Sequence, residues 1–151
     1  MQYLWRLFTH FISSNSRHGT HSPFVYRIAD EVIYTKSKSA SGGNKPQILL
    51  YDLAAYFEVD YAPLHLETGK DKALIIEDEM ADIEQLAILQ RQFKYVVVPD
   101  IYRAKRRKQL WESVCRDPRF IVCIDLFYYG LIFYRSEQPK ELFKLRFPYW
   151  R

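Results

Sequence analysis

This chain is poor in cysteine, in glycine and in long apolar runs, and each scarcity removes a class of protein. Its two cysteines, Cys115 and Cys123, form no metal-binding or redox motif. A disulfide-stapled scaffold is thereby excluded, and Cys123 falls where a small buried hydrophobe is expected. Such usage fits a reducing cytoplasm, the location we expect. No run approaches the ~20 apolar residues of a membrane span. The opening residues, MQYLWRLFTHFIS, interrupt their apolar pattern with Arg6, Thr9 and His10, unlike a secretory leader. A formal net charge of +4 is too mild to demand a nucleic-acid partner.

Aromatics are plentiful instead, at 17% of 151 residues, which favours one packed domain over disorder. They concentrate in Phe120–Arg135, FIVCIDLFYYGLIFYR. Two apolar runs, Phe120–Leu126 and Leu131–Tyr134, read as antiparallel strands covered on both faces. Gly130 is the residue between them that takes a positive φ without strain, so the turn is expected there. Asp125 is the polar exception and must be hydrogen-bonded or at an edge.

The remaining elements follow from periodicity. Met1–Ile12 has helical spacing of Leu4, Leu7, Phe8, Phe11 and Ile12, the face of a helix docked on the domain or on a partner chain. Trp5 beside Arg6 also suits a membrane-surface helix, but one arginine is little attraction for anionic lipid. Ser13–Ser22 is a polar loop in which His18 and His21 lack a third ligand apart from the distant His65, so no metal is expected. Ser22-Pro23 opens a helix to Tyr34. Thr35–Lys45 reads as a linker, dividing a helical segment (1–34) from the main body (46–151). Pro46–Phe57 is a third helix.

Strands are expected at Ala62–Leu66, Ala73–Ile76 and Tyr95–Val98, with helices over Asp82–Phe93 and Arg103–Arg116. Alternation of this kind predicts a mostly parallel α/β sheet flanked by helices, closed by the antiparallel hairpin and preceded by N-terminal helices. Ligands of such sheets bind beyond the carboxyl ends of the strands, where Glu67, Asp78 and Asp100 are expected.

RHGTHSPFVY (Arg17–Tyr26), ILLYDLAAYF (Ile48–Phe57) and DPRFIVCIDLFYYGLIFYRSEQPKELFKLRF (Asp117–Phe147) resemble a bacterial branch of the class I S-adenosylmethionine-dependent methyltransferases. The stretch from Tyr95 resembles that family's fifth strand and following helix, with Asp100 matching the second of two acids and Pro99 replacing the first. The hairpin resembles its sixth and seventh strands, and Ala73–Met80 stands for the fourth. The resemblance implies a Rossmann-like sheet shortened through its centre. Where the family has a glycine-rich turn, the nearest segment here is Glu67, Thr68 and Gly69; these are the candidate cofactor residues. Of the five glycines, only Gly69 is in the right place.

The resemblance therefore implies a methyltransferase-like protein that has lost S-adenosylmethionine binding and serves as a non-catalytic binding or assembly module. Its partner would be a second copy or another protein, and no cofactor is expected. The alternative is an active small methyltransferase that holds S-adenosylmethionine, with Asp78 and Asp100 as candidate catalytic carboxylates. A second alternative is a nucleic-acid accessory protein acting through Arg103, Lys105, Arg106, Arg107 and Lys108. The acids Glu77–Glu84 read as a solvated helix start rather than a metal site.

Overall fold

The structure is a computed structural model that describes residues 2–15, 21–37, 43–62, 68–76 and 82–149. Chain order is α1 (Gln2–Ser13), α2 (Pro23–Ile28), α3 (Lys45–Phe57), β1 (Asp60–Ala62), β2 (Lys72–Ile75), α4 (Ile83–Gln92), β3 (Val96–Pro99), α5 (Lys105–Arg116), β4 (Val122–Asp125), β5 (Tyr129–Phe133) and β6 (Glu141–Lys144). The expected α/β architecture is present: one six-stranded mixed sheet with helices on both faces.

Strand order is β1-β2-β3-β5-β4-β6. β1, β2 and β3 run parallel, β4 and β6 run parallel to each other, and β5 is antiparallel to both β3 and β4. The tail after the hairpin thus supplies β6, a strand that its sequence does not announce. The first strand is Asp60–Ala62 rather than Ala62–Leu66; residues 63–67 lie outside those described.

Alternation along the strands builds two cores. Val97, Ile124 and Leu131 face one way, into α2 and α3 through Val25, Ile28, Leu49 and Leu53. Val96, Val98, Cys123 and Ile132 face the other way, into α4 and α5 through Leu86, Trp111 and Val114. α2 belongs to the first core, so the 1–34 segment shares its packing with the main body.

Local chemistry sets the helix ends. Asn44 and Gln47 form a reciprocal capping box at the start of α3. Asp82 accepts from the Gln85 amide at 2.8 Å and starts α4. After α2 the helix widens into a π-helical turn, Ala29–Ile33, closed by Tyr34 N–H to Ala29 O at 2.8 Å. The linker reading covers 35–45, of which residues 38–42 lie outside those described.

The hairpin forms, but its turn is not at glycine. Gly130 lies inside β5, paired with Val98 on one side and Asp125 on the other. The positive φ belongs to Phe127, at 68°. Tyr128 N–H closes the turn onto Leu126 O at 2.8 Å, an i to i+2 bond around Phe127. Glycine serves a different need at 130: a Cβ there would meet Trp111 Cζ3 at 2.4 Å. The indole lies flat against bare backbone.

α1 docks on the domain, as one reading required, but by the opposite face. His10 is its buried residue, whereas Leu4, Trp5, Phe8 and Ile12 point outward.

Candidate functional site

The carboxyl end of β3 opens into a cleft of about 620 Å³. Asp100 and Arg103 line it from the turn after β3, and Tyr128 and Tyr129 from the start of β5. Tyr3 of α1 and Gln47 from the first turn of α3 complete the wall. Asp100 is held left-handed at φ 53°, its N–H bonded to Tyr128 O at 2.7 Å and its carbonyl to Arg103 N–H at 2.9 Å. Two positive-φ side chains, Asp100 and Phe127, therefore sit on adjoining loops at one end of the sheet. Backbone strain of this sort, ~1–3 kcal/mol per residue, persists where the surroundings over-determine it.

The cleft presents several hydrogen-bonding groups. The Arg103 guanidinium lies 3.4 Å from the Asp100 carboxylate and both are well exposed. Burial, helped by the Asp100 charge, pushes the Tyr129 phenol up to about 12. Burial first, then Tyr128 and Asp100, also raise Tyr3, which Arg103 partly offsets. Both phenols stay protonated at neutral pH and offer O–H donors.

Beneath the cleft is a second constellation, built on Asp125. The β4 carboxylate is buried and receives four donors: His10 Nε2 at 2.7 Å, Tyr102 O–H at 2.5 Å, Phe127 N–H at 3.0 Å and Trp111 Nε1 at 3.3 Å. Burial alone would push this carboxyl up, but the donors, His10 first, outweigh it and hold Asp125 below the usual carboxylate range. An ionised carboxylate accepts only, so His10 Nε2 carries the shared hydrogen. Phe127 stacks on Tyr102 with centroids 5.2 Å apart and also touches His10 and Tyr3. Asp125 was legible as an acid needing donors; its partners, drawn from α1, α5 and two loops, were not.

The other candidates are dispersed. Thr68 and Gly69 precede β2, where Gly69 O accepts from Lys72 N–H at 3.2 Å and neighbouring Lys70 Nζ donates to Phe93 O at 2.9 Å. Phe93 lies just ahead of β3, so Thr68 and Gly69 are at the amino end of the sheet, opposite Asp100. Glu67 and Asp78 lie outside the described residues, as do His18 and His65. His21 is exposed.

The basic run divides. Lys105 and Arg106 are exposed, Arg107 is buried, and Lys108 pairs with Glu112 at 2.5 Å. Among the described residues no three His, Cys, Asp or Glu side chains gather to hold a metal, and no helix is long and apolar enough to cross a membrane. Comparison of the chain with protein families, with curated proteins and with solved structures yields no match.

Proposed function

We propose that the chain is a methyltransferase-like α/β module that does not hold S-adenosylmethionine and works by binding and assembly, in the cytoplasm. The observation that carries this reading is the strand order. From β1 through β3 to β4 and β6 the sheet grows in one direction, with β5 folded back into it. Open α/β sheets hold nucleotide-like ligands in the crevice where successive crossovers leave in opposite directions. Among the described strands the steps β1 to β2 to β3 to β4 all go one way, the step back coming only at the β4–β5 hairpin. The candidate residues fit the group poorly as well. Thr68 and Gly69 lie at one end of the sheet and Asp100 at the other, so no single ligand of that size bridges them through one loop.

Three features support the methyltransferase-like part of the reading: the mostly parallel sheet, the antiparallel hairpin whose second strand inserts between β3 and β4, and Asp100 directly after a fully apolar strand. The active-enzyme alternative draws on the cleft itself, which is open at the carboxyl end of β3 and contains Asp100. The nucleic-acid alternative loses Arg107 to burial and Lys108 to an ion pair.

Calorimetric titration of the folded protein with S-adenosylmethionine and S-adenosylhomocysteine tests the proposal. No heat at millimolar ligand is the expected result. Micromolar binding that disappears in Asp100→Ala would replace it with the active-enzyme reading.

A further inference from the structure

We propose that the outward face of α1, with the cations that flank it, docks onto an anionic lipid surface. Leu4 is 68% exposed, Trp5 67%, Phe8 55% and Ile12 64%. These residues recur at helical spacing and form one continuous apolar stripe. Isolated exposed hydrophobes are ordinary on a protein surface, but a stripe this dense marks an interaction site.

The helix is not loose. Its other side is fastened along its length. Tyr3 packs on Phe127, and Arg6 Nη1 donates to Tyr102 O at 2.9 Å. His10 bonds Asp125, and Ser13 Oγ accepts from Lys144 Nζ at 2.6 Å. The protein therefore holds the stripe outward by polar bonds, which a hydrophobic helix seeking its own core would not need.

Charge selects the occupant. α1 contains no aspartate or glutamate. At its N-terminal half, the Arg6–Tyr102 bond sets it beside the loop leading into exposed Arg103, Lys105 and Arg106. At its C-terminal half, Lys144 reaches Ser13 and the Arg146 guanidinium lies 4.3 Å from the Phe11 ring centroid. The sequence showed a single arginine in the helix; the fold brings the others to it. Apolar side chains with tryptophan on one face and basic residues around them describe a helix lying in the headgroup plane. A second copy docking by the same face would oppose two basic rims. A nucleic acid would satisfy the cations and leave Leu4, Phe8 and Ile12 uncovered. This inference is independent of whether S-adenosylmethionine binds, because Leu4, Trp5, Phe8, Ile12, Lys105 and Arg106 do not line the cleft.

The test is flotation of the protein with phosphatidylcholine vesicles and with vesicles containing phosphatidylserine. The wild type should float with the anionic vesicles and be released by salt, and brominated lipid should quench Trp5. Trp5→Ser/Phe8→Ser should weaken partitioning by about tenfold or more. Lys105→Gln/Arg106→Gln should weaken it several-fold, while both variants, altered only at exposed positions, keep the wild-type melting temperature. The proposal fails if the folded wild type does not float, or floats equally with neutral vesicles. A dimer seen by light scattering and dissolved by Trp5→Ser/Phe8→Ser would assign the face to a second copy. Salt-sensitive oligonucleotide binding unchanged by that variant would assign the cations to nucleic acid.

Discussion

His10 Nε2 and Asp125 Oδ1 meet at 2.7 Å across 115 residues of sequence, joining the first helix to the fourth strand in a buried contact. Removing either partner strands the other's hydrogen-bonding group away from water. Asp125→Asn and His10→Ala are each expected to cost ~2–4 kcal/mol in urea titration. A double-mutant cycle should show strong coupling between the two.

The same contact sets an acid limb. Because the donors hold folded Asp125 below its unfolded value of ~3.9, its contribution is fully present above that value. It is lost as pH falls through the folded value. Stability measured between pH 6 and pH 2 should therefore drop less steeply in Asp125→Asn than in the wild type.

Gly130→Ala should be damaging although the backbone there is ordinary strand. The added methyl collides with the Trp111 indole, whose Cζ3 would lie 2.4 Å away, so overpacking of ~1–3 kcal/mol is expected in denaturant melts. Trp111→Leu in the same chain should recover part of that loss, because the smaller side chain vacates the contact.

Glu58→Gly should be mildly stabilising. Glu58 ends α3 at φ 53° and ψ 49°, the left-handed C-terminal position that glycine occupies most readily. Relief of ~0.5–1 kcal/mol would raise Tm by about 1–4 °C in a domain of this size. An unchanged or lowered Tm would show that strain at this position is negligible.

Both thiols should resist modification. Burial pushes Cys115 up to about 11, and Cys123 up to about 12. Because the thiolate is the reacting species, a disulfide reagent at pH 8 should label the native protein slowly and the urea-unfolded protein at once.

Most elements were legible from periodicity. Ala73–Ile76, Tyr95–Val98 and the two hairpin runs appear as β2, β3, β4 and β5 within a residue or two, because continuous apolar runs of that length have few other uses. β6 was not legible: ELFK has its Leu142 turned out to solvent and pairs only with β4. Periodicity also states that a helix has an apolar face without saying what covers it: Leu4, Phe8 and Ile12 were expected to dock on the domain or on a partner chain, and the domain leaves them exposed. The turn at Phe127 escaped notice because its left-handed backbone is held by the nearby Asp125 carboxylate, itself fixed by His10 and Trp111, and by stacking on Tyr102, a ring 25 positions earlier in the chain. The candidate site divided for the same reason: only assembly of the sheet reveals that Thr68 and Gly69 precede a strand while Asp100 follows one.

One small contact closes part of the sheet's margin. Asn15 lies against Leu145 in a parallel bridge, donating its N–H to Lys144 O at 2.8 Å and accepting from Arg146 N–H at 2.9 Å. It thereby occupies hydrogen-bonding positions just past β6, at one margin of the sheet. The opposite margin, β1, is three residues long. A sheet whose borders are brief or already taken offers little template for strand-by-strand addition, the step that begins fibre growth.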